Sequence, residues 1–232
     1  MAGSASRTTK ASASASPVSE VLQFKVWLMG VSPMIWRRLQ VPPTMTLREL
    51  HGTLQVAMGW ESLHLYQFVL RAKRYGSWQL SAASPDVTLE HLRLRRRARF
   101  VYEYDLNVPW RHELRLEDRV ARAPRRSYPF CVQGHAPCPP EEVGGPEGYQ
   151  VRREAWLSCE AMEDLDDLAE MLKAVVLDGR HELLDEEKRE AMRDILERMR
   201  VREEWKGLPF SKKAVNARLR DGEHLVLMHQ QY

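Results

Sequence analysis

The sequence predicts an α+β fold, in which a mixed β-sheet with one crossing helix is followed by a small C-terminal helical subdomain. Between residues 21 and 116, apolar and polar residues alternate in several short segments, a pattern typical of half-buried strands. One segment among them, 46–58, has helical spacing instead. After residue 150 the apolar residues recur at helical spacing only. We therefore divide the chain into a disordered tail (1–18), a sheet domain (19–149) and a helical subdomain (150–232).

The first predicted elements are a tail and a hairpin. Residues 1–18 are rich in Ser, Ala and Thr and lack the large apolar side chains that would offset the entropy lost on ordering. Alternation begins near Val21 and continues to Leu28. A second strand, 35–41, is expected to pair with the first across the turn at 30–33.

The helix predicted over 46–58 has a start signal and a stop signal. Thr46 and Glu49 form a capping-box pattern, in which each side chain can bind the backbone amide of the other residue. Gly59 can adopt the left-handed conformation that ends a helix. The apolar face consists of Leu47, Leu50, Leu54 and Met58.

Four further strands are predicted over 64–70, 75–80, 99–106 and 110–116, and the last two should form a hairpin. This order resembles the β-grasp arrangement, with one helix across one face of a mixed sheet. Segment 118–149 is rich in Pro, Gly and Arg and shows no periodicity, so we predict a long loop there. Helices are predicted over 162–176, 191–199 and 211–220.

Composition predicts a cytoplasmic protein without a membrane segment. No window approaches about 18 apolar residues, and no apolar core near the start resembles a secretion signal. The cysteines number three, which does not suit a disulfide framework. Lys and Arg outnumber Asp and Glu by 14 to 7 between residues 71 and 126, whereas acids outnumber bases by 17 to 8 between 154 and 204. This asymmetry indicates either two solvated faces of opposite sign or a basic surface for a polyanion.

The chain also contains a series of distinctive blocks. They are PMIWRRLQVP (33–42), TLRELH (46–51), QVAMGW (55–60), HLYQF (64–68), YEYD (102–105), WRH (110–112), CPPEEVGG (138–145) and VNARL (215–219). In composition and order these blocks resemble the plasmid pRiA4b Orf-3-like family, over roughly residues 21–220. The resemblance implies a protein found on plasmids or as an insertion-sequence passenger, sometimes under a TnpR-type label, with no assigned activity. The chain departs from the family at 106–109, which lacks the usual acidic glycine turn, and at Tyr66, where members often carry histidine.

One candidate site is a metal centre. Cys131 and Cys138 are separated by six residues, and thiolates and imidazoles are good zinc ligands. Structural zinc normally takes four ligands, so zinc is the candidate cofactor if the set is completed by His112, His64 or His51. The alternative is a structural loop whose small cysteines pack under the sheet.

A second candidate site is basic. Arginine binds phosphate in a bidentate manner and stacks on bases, so a nucleic-acid surface is a candidate function for these side chains. Because side chains alternate along a strand, Arg37 and Arg38 should lie on opposite faces and need not form one patch. Tyr102, Tyr104 and Trp110 are candidate stacking partners. The candidate nucleic-acid-binding residues are Arg37, Arg38, Arg95, Arg96 and Arg97.

Two functions remain open. The first is an accessory or binding protein of mobile-element type, with nucleic acid or another protein as its partner. The second is a metal-dependent, hydrolase-like enzyme with His, Cys and Asp ligands between the sheet and the loop. The sequence contains no nucleophile elbow, no dinucleotide-binding glycine motif and no His-Glu-x-x-His motif, and no residue is assigned as catalytic.

Overall fold

The computed structural model describes residues 20–156 and 158–229, except for the side chain of Trp78. The strands are β1 (Glu20–Leu28), β2 (Trp36–Val41), β3 (Tyr66–Leu70), β4 (Lys73–Gly76), β5 (Arg99–Tyr104), β6 (Trp110–Ala121) and β7 (Phe130–His135). The α-helices are α1 (Leu47–Met58), α2 (Gly145–Ala155), α3 (Cys159–Leu172), α4 (Glu186–Glu204), α5 (Lys212–Arg220) and α6 (Glu223–Leu227). A π-helical turn, Lys173–Leu177, extends α3. None of the helices within these ranges is both long and apolar enough to cross a membrane.

The α+β class is confirmed, and one detail of the predicted sheet is corrected. The strands form one sheet in the order β4-β3-β5-β6-β1-β2-β7, and every pair of neighbouring strands is antiparallel rather than mixed. The reason lies in the connection through α1. That helix carries the chain from β2 to β3, which pairs with β4 and β5 instead of lying parallel to β1.

Helix α1 has the ends that the sequence predicts. The Thr46 hydroxyl accepts from the amide of Glu49 at 3.1 Å, and the Glu49 carboxylate accepts from the amide of Thr46 at 2.7 Å. Gly59 ends the helix with a φ of 90°. Near the middle of α1, Gly52 lies against the backbone of α6, where a Cβ atom would overlap the carbonyl of His224. The absence of a side chain at Gly52 therefore allows the two helices to touch.

The hydrophobic core lies between α1 and one face of the sheet, which we call the inner face. Strand residues from every part of the sheet contribute to it, and α5 and α6 add apolar side chains beside α1. Representative members are Phe24, Val26, Leu39, Leu50, Leu54, Phe68, Leu114, Leu219 and Leu227. The opposite face, the outer face, carries side chains that stay partly exposed.

The long loop predicted over 118–149 contains regular structure. Strand β6 continues to Ala121, β7 occupies Phe130–His135, and α2 begins at Gly145. The sequence of strand β7 lacks a clear apolar/polar alternation, and the strand pairs with β2 through a register shift between Arg38 and Leu39. It forms because the free edge of β2 offers backbone partners, which local sequence does not reveal. The tail 1–18 lies outside the described residues, and the division at residue 150 stays a prediction.

The predicted stripe over 162–176 is helical, but much of it faces solvent. Asp164 takes the inward position and binds both Arg198 and Arg202 of α4. This pairing turns the apolar stripe of α3 outward. The side chains that are more than half exposed include Met162, Leu165, Leu172 and Val176.

Candidate nucleic-acid interface

Alternation along the central parts of β1 and β2 builds the outer face of the sheet. In β1, Phe24 and Val26 are fully buried on the inner face, while Lys25 and Trp27 between them are only partly buried. In β2, Trp36 and Arg38 share the outer face with them. Because successive side chains of a strand point to opposite sides, this face presents polar and aromatic groups to solvent.

A row of four cations crosses the outer face. Arg99 of β5 pairs with Arg115 of β6, Arg115 pairs with Lys25 of β1, and Lys25 pairs with Arg38 of β2. We call Arg99, Arg115, Lys25 and Arg38 the basic row. Neighbouring strands lie about 4.8 Å apart, so the row spans roughly 15 Å.

A pair of tryptophans lies beside the basic row. Trp27 and Trp36 are directly opposite each other in the β1–β2 register, and two residues along a strand correspond to about 7 Å. The Lys25 ammonium lies 5.2 Å from the Trp36 ring centroid and 6.0 Å from that of Trp27. The Arg38 guanidinium lies 5.3 Å from the Trp36 ring. The tryptophan pair and the basic row therefore form one continuous surface.

The basic row is only partly neutralised. Glu117 binds Arg38 through both carboxylate oxygens, at 2.6 and 3.0 Å, and this contact lowers the pKa of Glu117. Arg99 lies 3.2 Å from Glu113. Among the described residues, Arg115 and Lys25 form no ion pair with a carboxylate. The charge of Lys25 also lowers the pKa of Glu117 after the larger effect of Arg38, so the row keeps a positive charge that is reduced at Lys25. Like charges in directly opposed positions destabilise a sheet.

The predicted arginine run lies at one end of this surface. Arg95, Arg96 and Arg97 are exposed in the loop that precedes β5. Arg96 donates to the backbone carbonyl of Glu117 at 3.1 Å and lies 3.3 Å from Asp118. Arg38 binds the side chain of Glu117, and Arg96 binds the backbone carbonyl of the same residue. Both arginines therefore contact the same part of β6. Within the described residues, Arg95 and Arg97 form no ion pair.

Arg37 is separated from the other candidate residues. It lies on the inner face and is 2% exposed, as the alternation of β2 predicts. Its guanidinium donates to backbone carbonyls rather than to solvent. Its predicted role in nucleic-acid contact is corrected on this ground, because a phosphate approaching the outer face cannot reach it. The aromatic candidates Tyr102, Tyr104 and Trp110 are likewise fully buried on the inner face.

Sequence reasoning missed the centre of the surface. It selected Arg38 but not Lys25, Trp27 or Arg115. The alternation of β1 contained a usable signal, since its polar and aromatic positions all belong to one face. The register that joins Lys25 to both Arg38 and Arg115 had no local signal, because it depends on which strands become neighbours.

The predicted metal ligand His51 is engaged in the core. Its Nδ1 lies 2.7 Å from the Tyr102 hydroxyl and its Nε2 lies 2.9 Å from the Ser62 hydroxyl. The ring stacks on Tyr66 with 3.7 Å between centroids. Burial lowers the pKa of His51 to about 3, so the imidazole is neutral. Both ring nitrogens therefore have protein partners.

The other predicted metal ligands do not assemble into a zinc site. His112 is buried and its pKa falls to about 3 because of burial, whereas His64 is partly exposed and lies 4.0 Å from Asp105. Burial raises the pKa of the Cys131 thiol to about 11 and that of Cys138 to about 12, so both side chains are neutral thiols. Within residues 20–156 and 158–229, no three His, Cys, Asp or Glu side chains are placed to hold a metal. The predicted zinc site is not confirmed.

The segment 138–145 instead attaches to aromatic side chains of the core. The Glu141 carboxylate is mostly buried and accepts from the amide of Glu61 at 2.7 Å, from the amide of Leu63 at 3.0 Å and from the Tyr104 hydroxyl. Burial is the main cause of the raised pKa of Tyr104, and the contact with Glu141 adds to it. Loop carbonyls also accept from the indoles of Trp60 and Trp110, at 2.9 and 3.2 Å. The contacts observed for the segment 138–145 therefore hold the loop against the core.

Fold and surface together define an α+β protein with a single antiparallel sheet, one face of which is a basic, aromatic surface. The chain belongs to the family described as plasmid pRiA4b ORF-3-like protein, whose model matches residues 20–195. It is 35% identical over 153 residues to the uncharacterized protein y4hQ of Sinorhizobium fredii, covering 63% of this chain and 75% of that protein. It also resembles the crystal structure of a protein of unknown function, MM3350, from Methanosarcina mazei Go1. That match has 29% identity and a TM-score of 0.57, and it covers 61% of this chain and 83% of the other. The family membership indicated by the sequence blocks is confirmed.

Proposed function

We propose that this protein is an accessory protein of plasmid and mobile-element type that binds single-stranded nucleic acid on its outer face. The observation that carries the proposal is the basic row beside the tryptophan pair. Proteins that bind single strands combine a basic track for the phosphates with aromatic rings on which bases stack. A nucleic-acid partner and three free cysteines also fit the cytoplasmic location that composition predicts.

The unpaired cations at the centre of the row support an anionic partner. Lys25 and Arg115 face each other across β1 and β6 without a carboxylate between them. Such an arrangement destabilises the isolated sheet slightly, and a phosphate backbone would reverse that effect. A second protein with an acidic surface would supply the same charge but would not need two adjacent indoles.

The geometry favours a single strand over a duplex. Stacking on Trp27 and Trp36 requires unpaired bases, because the bases of a duplex already stack on each other. The cations and indoles of this surface lie on strands of a broad sheet and not on a helix of the kind that enters a major groove. The exposed arginines Arg95 and Arg97 extend the positive potential beyond the strand ends.

The test measures binding of a fluorescein-labelled oligothymidylate by anisotropy at several salt concentrations. We expect Arg115→Gln to weaken binding and to lower the slope of log affinity against log salt by about 0.7 for the lost phosphate contact. Trp36→Ala should lose about 1–3 kcal/mol of binding free energy because one base loses its stacking surface. Arg220→Gln is the matched control, since it removes the same charge from an exposed position on α5.

Two results would count against binding at the basic row. One is the absence of saturable binding at low salt. The other is an equal loss of affinity in Arg115→Gln and Arg220→Gln, which would mean that net charge rather than the basic row governs binding. A duplex that binds as tightly as the single strand would exclude the stacking role of the tryptophan pair.

A further inference from the structure

A groove lies on the other side of the sheet from the proposed nucleic-acid surface. Its walls are the end of α1, the loop at Cys138–Pro140, the segment Gly207–Ser211 and helix α5. The volume is about 500 Å³, within the usual range for a small-molecule site. This groove plays no part in the function proposed above.

Arg37 of β2 is one of the side chains that line the groove. Its Nε donates to the carbonyl of Ala57 at 2.9 Å, and one terminal nitrogen donates to the carbonyls of Trp36 and His135 at 2.8 and 2.9 Å. The guanidinium also lies 4.2 Å from the ring centroid of Phe210. The second terminal nitrogen has no hydrogen-bond partner among the described residues, so one donor group remains to bind a ligand.

No carboxylate neutralises Arg37 within the described part of the chain. Burial is the main cause of the lowered pKa of the guanidinium, and the nearby Cys138 and Cys131 side chains oppose that shift only in part. Removing a cation from water without an anionic partner is costly, and carbonyl dipoles and one aromatic ring offset only part of that cost. The acids at the rim of the groove are already paired, Glu203 with Lys206 and Glu204 with Arg200.

The remaining walls are largely apolar. Val56, Pro139, Leu208 and Val215 line the groove together with Phe210. The other cation in the lining, Arg218, is held by Glu223 through two hydrogen bonds. One available cation among apolar walls suits a singly charged acid with a hydrocarbon body, whereas a phosphate dianion would need more donors.

We propose that this groove binds an apolar monocarboxylic acid, with its carboxylate on Arg37 and its hydrocarbon body against Phe210 and Leu208. A carboxylate replaces the missing counter-ion, and the apolar walls bury the rest of the molecule. Binding at the groove is independent of the outer face, because Arg37 and Arg38 point to opposite sides of β2.

Calorimetric titration of the full chain with octanoate and with octanamide tests the proposal. The two probes share a hydrocarbon body and differ in charge. We expect octanoate to bind at least tenfold more tightly than octanamide, because a hydrogen bond to a charged group contributes more than a neutral one. In two-dimensional NMR spectra, octanoate should shift the amide resonances of Ala57, Gly207 and Phe210.

Two variants separate Arg37 from the second cation of the lining. Arg37→Gln should remove the preference for octanoate, and Arg218→Gln should preserve it. If Arg37→Gln fails to fold, the comparison of the two probes on the native chain and the map of shifted resonances still decide the question. Equal affinity for octanoate and octanamide, no binding of either, or shifts confined to other regions would overturn the proposal.

Discussion

Replacing Glu141 by glutamine should destabilise the protein far more than its conservative chemistry suggests. The carboxylate accepts from the amides of Glu61 and Leu63 and from the Tyr104 hydroxyl, and it is 8% exposed. Two of these contacts join the loop after β7 to the connection between α1 and β3, and the third joins it to the end of β5. Glutamine has nearly the same shape but carries one oxygen and one amide nitrogen in place of two oxygens.

The expected magnitude follows from the partners of each oxygen. Hydrogen bonds to a charged group contribute about 1.5–3 kcal/mol each, and neutral ones about 1 kcal/mol. If the glutamine oxygen faces Leu63 and Tyr104, those two bonds weaken to neutral strength. Its amide group then meets the amide of Glu61, donor against donor, and that bond is lost. Together these changes should lower the free energy of unfolding by about 3 kcal/mol.

Urea unfolding monitored by tryptophan fluorescence measures this loss, since the indoles of Trp60 and Trp110 bind carbonyls of the same loop. Glu142→Gln is the matched control. Its side chain is exposed, so the substitution should change the free energy of unfolding by less than about 0.5 kcal/mol. A loss below about 1 kcal/mol for Glu141→Gln, or one equal to that of the control, would refute the reasoning.

Three further predictions concern packing, pH dependence and thiol chemistry. Gly52→Ala should lower the melting temperature by several degrees, because the new Cβ overlaps the backbone of α6; an unchanged melting temperature in calorimetry would contradict this contact. The hydrogen bond from Arg48 lowers the pKa of Asp86 from 3.8 to about 2, so its stabilising effect is present above pH 3.8 and is lost as the pH falls towards 2. Thermal melts should therefore show a deficit for Asp86→Asn near neutral pH that disappears in acid, and a constant deficit would argue against the ion pair. A thiol reagent should label Cys159 rapidly and the two buried cysteines only after unfolding, and rapid labelling of all three would contradict their burial.

The local signals in the sequence were sufficient for much of the fold. Thr46, Glu49 and Gly59 marked both ends of α1, because capping depends on residues within one turn of the helix end. Alternation located most of the strands for the same reason, since the inward and outward positions of a strand follow from its own sequence. The same alternation placed Arg37 and Arg38 on opposite faces.

The elements that escaped prediction depend on distant partners. Strand β7 carries no period of its own and exists because β2 has a free edge. The apolar stripe of α3 is typical of a buried face, yet it points outward because Asp164 binds two arginines of α4. Most of the candidate zinc ligands lie far apart in the chain, and no local signal indicates whether they meet.

By itself, then, the sequence determined the family, the α+β class, the ends of α1 and the face on which most strand residues lie. All of these are set by interactions between residues a few positions apart. Only the tertiary structure decided that the sheet is antiparallel throughout, that Lys25 completes a row with Arg38 and Arg115, and that Arg37 is a buried cation without a carboxylate partner in the described chain. Those features depend on which strands become neighbours and on which side chains exclude water. Neighbouring strands and buried charges are settled by the packing of the whole chain, and short segments of sequence carry no record of it.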